Sequence, residues 1–142
     1  MADLLVNIDV DDLEKGIRFY AGALGLKPGR RLGADAREML GASSPIYLLV
    51  NPGGTRPFAA ATAGRDYRRH WTPVHLDFAV EDIEAAVARA VSAGAALEGT
   101  IEERAWGLLA RLADPFGNGF CILQFKGRGY DALAGKPPAG SP

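Results

Sequence analysis

One sequence pattern occurs twice in this chain, at an offset of 70 positions. In both copies, apolar and polar residues alternate through a short segment, and an acidic residue then precedes a helical apolar pattern. The matching pairs are Leu4/Val74, Val6/Leu76, Ile8/Phe78, Val10/Val80, Asp12/Asp82, Leu13/Ile83, Glu14/Glu84 and Ile17/Val87. The offset is about half of the 142 residues, which indicates a duplicated unit rather than a solenoid of many repeats. Two equivalent halves favour one shared cleft.

Composition limits the classes of function. Sixteen Lys and Arg against 17 Asp and Glu give a net charge of −1, so we expect neither nucleic acid nor an anionic membrane as a partner. A single cysteine excludes an internal disulfide, and the first residues lack the pattern of an export signal. No apolar run reaches the roughly 18 residues that span a bilayer. These features predict a cytoplasmic protein.

The first half predicts one strand, one helix and three further strands. Alternation over residues 4–10 predicts a strand with one buried side. That side carries Leu4, Val6, Ile8 and Val10. Asp11 or Asp12 then caps a helix, and Gly25 ends it. Three short strands follow within residues 27–51.

The second half repeats this order. Residues 74–80 alternate again, Asp82 opens a helix, and Gly94 closes it. Strands follow near residues 97–103, 108–113 and 119–125, the last two joined by a turn over 114–118. Each half is therefore a βαβββ module. The sequence predicts an α+β fold, a single domain over 1–126 with modules at about 1–51 and 72–126.

The remaining segments are a connector, residues 52–71, and a tail, residues 127–142. The connector is rich in Gly and Pro and contains a basic cluster of Arg65, Arg68, Arg69 and His70. Two interpretations are open, a solvated linker or an anion-attracting rim of the cleft. The tail is rich in Gly, Ala and Pro, which predicts a flexible segment.

A βαβββ module covers one face of its sheet with its helix and leaves the other face bare. Two such sheets side by side curve around a cleft, and strand alternation gives the side chains that line it. These are Leu5, Asn7 and Asp9 in the first strand, Tyr47 and Leu49 in the fourth, His75, Asp77 and Ala79 in the fifth, and Cys121 and Leu123 in the last.

Several short motifs resemble the vicinal oxygen chelate superfamily, which contains glyoxalase I, extradiol dioxygenases, fosfomycin-resistance enzymes and bleomycin-binding proteins. They are Asp12-Leu13-Glu14, Phe19-Tyr20, Leu24-Gly25-Leu26, His75 ahead of Val80-Glu81-Asp82, Trp106-Gly107, and Asp114-Pro115-Phe116-Gly117-Asn118. The resemblance covers about residues 4–125. It implies the glyoxalase/bleomycin resistance/dihydroxybiphenyl dioxygenase fold and a homodimer.

The resemblance also implies where a divalent metal would bind. Metal enzymes of the superfamily take one ligand from each of four strands, at the positions of Leu5, Tyr47, His75 and Cys121 in this sequence. Only His75 is a usual ligand there, whereas a catalytic site needs about three. We therefore expect no metal cofactor. A displaced divalent site, with His75, Asp77 and Cys121 as candidate ligands, is the alternative.

These observations predict a protein that binds or sequesters a small organic molecule, a metabolite or an antibiotic. The expected ligand-binding residues are Leu5, Asn7, Asp9, Tyr47, Leu49, His75, Asp77, Cys121 and Leu123. The alternative is a metal-dependent enzyme of the glyoxalase or dioxygenase type with its site moved to His75. In that case Asp9 and Asp77 are candidates for proton transfer. A third possibility is an interaction domain with a filled cleft.

Overall fold

The computed structural model describes residues 1–135, and its element order confirms the α+β fold. The first module contains β1 (Val6–Val10), α1 (Leu13–Leu24), β2 (Lys27–Arg31), β3 (Ala36–Leu40) and β4 (Ile46–Val50). The second contains β5 (Leu76–Ala79), α2 (Ile83–Ala93), β6 (Ala96–Leu97), β7 (Glu102–Arg104), β8 (Gly107–Ala113) and β9 (Gly119–Phe125). A short 3₁₀ helix, Gly129–Ala132, follows.

The two helices begin and end by the same chemistry. Asp12 caps α1 by accepting a hydrogen bond from the Lys15 amide, and Asp82 caps α2 by accepting one from Ala85. Gly25 follows α1 in the left-handed conformation, with φ of 69°, which is favourable for glycine because it has no Cβ. The predicted helix boundaries are confirmed, with Asp12 rather than Asp11 as the cap.

Each module forms its own sheet. The strand order is β1-β4-β3-β2 in the first sheet and β5-β9-β8-β6 in the second, where β7 also pairs with β8. In both sheets the first strand of the module lies parallel to the last, so β1 runs beside β4 and β5 beside β9. Consequently β1 and β5 are edge strands of their sheets.

The core lies between the sheets and the helices. The helix-facing side chains of the strands are buried, among them Val10, Leu48, Leu112 and Ile122, each of which is fully inaccessible. Phe19 of α1 packs edge-on against Phe120 of β9, with ring centroids 6.3 Å apart. This contact joins the first helix to the second sheet, so the modules share one core.

Three strand predictions differ from the structure. The strand predicted over residues 74–80 spans only Leu76–Ala79, so His75 precedes it. The first strand begins at Val6 rather than at Leu4, and Leu4 is 68% exposed instead of buried. The strand expected over residues 97–103 is two short strands, β6 and β7. Gly99 lies between them with φ of 84°, a left-handed conformation that interrupts an extended strand.

The chain after β9 turns back onto the sheet. Tyr130 packs against Phe125 and Trp106, with ring centroids 4.7 Å and 5.4 Å away. The segment expected to be a flexible tail thus contains a short helix within residues 127–135, and residues 136–142 lie outside the described part. Among residues 1–135, neither helix has the length and apolar character that a membrane crossing requires.

Candidate functional site

A cavity of about 450 Å³ lies where the edge strands β1 and β5 approach each other. We call it the seam cavity. Its wall is formed by residues 4–8, 74–76, 78 and 118–120, with Tyr20 from α1 and with His70 and Thr72 from the connector. Because the two sheets are not joined by strand pairing at this edge, the space between them reaches down to side chains of the core.

Most of the cavity wall is hydrocarbon. Its apolar side chains are Leu4, Leu5, Val6, Ile8, Val74, Leu76, Phe78 and Phe120. The wall contains no Asp, Glu, Lys or Arg. Leu4, Leu5 and Val74 are more than half exposed, so they form the mouth, whereas Ile8 and Phe120 are buried at its base. An apolar pocket with few polar groups is typical of small-molecule sites.

The predicted ligand-binding residues divide into three groups. Leu5, Asn7 and His75 line the seam cavity. On the first sheet, Asn7 is paired with Tyr47 and Asp9 with Leu49 across β1 and β4. Of these four residues only Asn7 lines the cavity, and Asp9, Tyr47 and Leu49 lie outside its wall. On the second sheet, Asp77 is paired with Cys121 and Ala79 with Leu123 across β5 and β9. The nine residues expected to line one cleft therefore lie in different places, and only Leu5, Asn7 and His75 line the seam cavity.

Asp9 holds the connector against the first module. Its carboxylate accepts hydrogen bonds from Arg65 Nε at 2.6 Å and from Asn51 Nδ2 at 2.8 Å. Tyr67 donates a further hydrogen bond to the Asn51 carbonyl. Asp77 has a different partner, His75, with 3.1 Å between His75 Nε2 and Asp77 Oδ1. These contacts do not support a proton-transfer pair of Asp9 and Asp77.

The basic cluster of the connector is neutralised by carboxylates. Arg68 pairs with Asp66 at 2.6 Å, and Arg69 pairs with Glu98 at 2.5 Å. Together with the Arg65 contact to Asp9, every arginine of the cluster has an acidic partner. An anion-attracting rim is therefore the wrong interpretation. The connector is a hydrogen-bonded segment that reaches both modules.

His75, Asp77 and Cys121 form one compact group, with their ligand atoms within 4.8 Å of one another. The His75 ring also lies against Trp71, with ring centroids 4.8 Å apart. Trp71 occupies this place because Gly119 beneath it has no side chain, and a Cβ at Gly119 would overlap the indole ring. The glycine thus positions Trp71, which in turn supports the imidazole.

The Cys121 thiol is held in its protonated form. Burial raises its pKa to about 11, and the negative charge of Asp77 acts in the same direction. Cys121 as a whole is 4% exposed. Since the thiolate is the nucleophile, Cys121 is poorly suited to nucleophilic attack near neutral pH.

Glu38 is a charged side chain that the sequence analysis did not single out. It lies beside Tyr47 on the first sheet, is 6% exposed, and accepts hydrogen bonds from Arg30 and from the Tyr47 hydroxyl. The hydrogen bonds from Arg30 lower its pKa to about 2. Gly29 leaves room for the carboxylate, which would meet a Cβ there. No local sequence signal links Arg30 to Glu38, because their contact depends on the pairing of β2 with β3.

The residues at the superfamily's metal positions do not fit a divalent ion. Leu5 has no donor atom, and the Tyr47 hydroxyl donates to Glu38. The buried Cys121 thiol would have to lose its proton to bind an ion, so His75 is the one position of the four with a conventional ligand that needs no such change. Around His75, the group with Asp77 and Cys121 brings three donors together, but it too requires the thiolate.

Comparison with known proteins identifies relatives of the whole domain. A family model described as a glyoxalase-like domain matches residues 5–123. The anthracycline biosynthesis protein DnrV of Streptomyces peucetius is 32% identical over 132 residues, which cover 92% of this chain and 43% of that protein. The anthracycline biosynthesis protein DauV of Streptomyces sp. strain C5 is 31% identical over 91% of this chain. The chain spans less than half the length of these relatives.

Solved structures show the same fold at lower identity. The antibiotic-binding protein TnmS3 from Streptomyces sp. CB03234 superposes with a TM-score of 0.62 at 22% identity, covering 89% of this chain and 97% of that one. The fosfomycin resistance protein FosX from Listeria monocytogenes superposes with a TM-score of 0.68 at 15% identity, covering 89% of this chain and 95% of that one. These similarities establish the fold.

Proposed function

This chain belongs to the glyoxalase-like domain family, within the vicinal oxygen chelate superfamily, and from that premise we propose that it binds a small organic molecule in the seam cavity. The observation that carries the proposal is the cavity of about 450 Å³ with its largely apolar wall. We include metabolites and antibiotics as ligands, because the relatives include proteins of anthracycline biosynthesis and an antibiotic-binding protein.

Binding without a catalytic metal is part of the proposal. It is supported by the donor set at the superfamily's metal positions, where Leu5 and the protonated Cys121 thiol replace ligands. The compact group of His75, Asp77 and Cys121 favours a second candidate, a metal-dependent enzyme of the glyoxalase or dioxygenase type. A cytoplasmic location is proposed because a lone cysteine suits a reducing compartment.

A thermal-shift screen of metabolites and antibiotics tests the proposed function. A ligand at 100 times its dissociation constant stabilises the folded protein by about 2.7 kcal/mol, which raises the melting temperature measurably. For a ligand found in this way, we expect Asn7→Ala and His75→Ala to weaken binding by roughly tenfold, because both side chains line the seam cavity. Affinity is measured by titration calorimetry.

Tyr47→Ala is the matched control. Tyr47 is the cross-strand neighbour of Asn7 but lies outside the cavity wall, so binding should be unchanged. A ligand whose affinity falls in the Tyr47 variant and is unaffected in the other two would place binding on the strand face of the first sheet instead. Near-native circular dichroism of each variant shows that the fold is retained.

We also propose a homodimer. Within residues 1–135, strand β2 ends the first sheet with an unpaired edge, and four of its five residues are exposed. Unpaired edges of this kind favour association with another strand. Sedimentation equilibrium is expected to give about twice the 15.0 kDa mass of one chain. A monomer at concentrations in the tens of micromolar would contradict the proposal.

A further inference from the structure

We propose that the seam cavity selects uncharged, fused-ring aromatic molecules with a polar group at one edge, and that it rejects anions. This inference rests on the proposed function and adds the chemical class of the ligand.

The charge of the wall excludes anionic ligands. None of the 15 residues that line the cavity is Asp, Glu, Lys or Arg. The nearby connector arginines are already paired, Arg65 with Asp9 and Arg69 with Glu98. His75 faces the carboxylate of Asp77, so a proton on its ring would be balanced within the protein. A phosphonate or sulfonate would lose its hydration without gaining a cation, which is costly.

The hydrogen bonds of the wall leave little for a ligand. Tyr20 donates to Asp114 at 2.6 Å, and Asn118 donates to the same carboxylate at 2.9 Å. Both ring nitrogens of His70 lie 2.9 Å from protein oxygens, and the Thr72 hydroxyl donates to the Val74 carbonyl. These groups are hydrogen-bonded within the protein and are not available to a ligand.

Two polar groups of the wall remain for ligand contacts. Within residues 1–135, the side-chain amide of Asn7 has no hydrogen-bond partner, and the His75 ring contacts Asp77 through Nε2 alone. Asn7 offers both a donor and an acceptor. Because Nε2 of His75 faces the Asp77 carboxylate and donates to it, Nδ1 of the neutral ring offers an acceptor. A ligand can therefore satisfy polar atoms at one edge, such as a hydroxyl beside a carbonyl, while the rest must be apolar.

The aromatic and aliphatic side chains of the wall favour aromatic ligands. Two strand edges face each other across the seam, Val6 and Ile8 on one side and Leu76 and Phe78 on the other. The Phe78 and Phe120 rings both line the cavity and meet edge to face at 82°, with centroids 6.0 Å apart. Aromatic ligands pack well against such surfaces. The exposed Leu4, Leu5 and Val74 at the mouth would be covered by a ligand that spans it.

A matched pair of probes tests the inference. The uncharged probe is 1,4-dihydroxyanthraquinone, and the charged probe is anthraquinone-2-sulfonate, which keeps the ring system and adds one negative charge. Binding is followed by quenching of tryptophan fluorescence, because Trp71 contacts His75 at the cavity wall. We expect the sulfonate to bind at least tenfold more weakly than the uncharged probe.

A positive charge placed at the cavity mouth should strengthen binding of the sulfonate. In Leu5→Lys the new ammonium group lies at the cavity mouth, and Leu5 is 57% exposed, so the fold tolerates the change. We expect the sulfonate to bind this variant at least tenfold more tightly than it binds the unmodified protein. Leu133→Lys is the control, since Leu133 is 59% exposed and lies outside the cavity wall.

The outcomes separate the inference from the proposed function. Equal affinity for both probes, or no gain for the sulfonate in Leu5→Lys, overturns the selection of uncharged ligands. If neither probe binds but a library compound does, and His75→Ala weakens that compound, the fused-ring class is wrong while the proposed function stands. If no compound of any class binds, both fail.

Discussion

Asp114→Ala is expected to lower the free energy of unfolding by about 3 to 5 kcal/mol, because several buried donors lose their acceptor at once. Asp114 is 5% exposed and accepts hydrogen bonds from the Tyr20 hydroxyl, from the amides of Phe116 and Asn118, and from the Asn118 side chain. Burial raises the pKa of Tyr20, so its hydroxyl remains a donor. Urea denaturation provides the measurement.

Two further variants define the cause of this loss. Tyr20→Phe removes one of the donors and leaves the others in place, so it should cost only about 1 to 2 kcal/mol. Asp3→Ala, at an exposed site, should change stability by less than about 0.5 kcal/mol. If Asp114→Ala costs less than Tyr20→Phe, the Asp114 hydrogen bonds do not hold the turn after β8 to α1.

The second large effect is an absence of catalysis: we expect no isomerisation of the hemithioacetal of methylglyoxal and glutathione above the rate without protein. That reaction needs a metal to polarise two neighbouring oxygens and a base to move a proton, and a positioned base alone contributes about 10² to 10⁴ in rate. The phenol of Tyr47 and the protonated thiol of Cys121 stand at the superfamily's carboxylate positions. The anionic substrate also finds no cationic residue in the seam cavity.

The assay adds Zn²⁺, Ni²⁺, Mn²⁺ and Fe²⁺ separately to metal-stripped protein and follows product absorbance. Sustained turnover with any of these ions, abolished in His75→Ala, would refute the expectation and favour a metal site around His75, Asp77 and Cys121. In that event turnover should also fall in Cys121→Ser, because a serine hydroxyl is a weaker metal ligand than the cysteine thiolate that it replaces. Tyr47→Ala would be the variant expected to retain activity.

Features fixed by local chemistry were predictable from the sequence. The caps Asp12 and Asp82, the strand Ile46–Val50 and the strand Gly119–Phe125 follow from side-chain hydrogen bonding, glycine conformation and period-two alternation. The ordered connector was not predictable, because it depends on the pairing of Arg65 with Asp9, 56 positions away. Local composition indicates only that such a segment is polar.

The site was predicted in part for a physical reason. Strand alternation assigned Leu5, Asn7 and His75 to the open face, and all three line the seam cavity. The same rule assigned Val6 and Ile8 to the buried side, and Phe78 and Phe120 lie likewise on the face opposite to the predicted cleft residues. They reach the cavity because β1 and β5 do not pair, so the gap between their edges opens onto the helix side. Alternation describes the faces of a sheet and carries no information about a gap between two sheets.

The strand pairing within each module has a consequence for how the chain folds. In the described part, β1 closes on β4 and β5 on β9, and no strand of one half pairs with a strand of the other. Each sheet can therefore form over a short chain length, at a low entropic cost of loop closure. Contacts between the halves, such as Phe19 with Phe120 and Tyr20 with Asp114, require the two ends of the chain to meet. We expect the modules to form early and their docking to be the late step of folding.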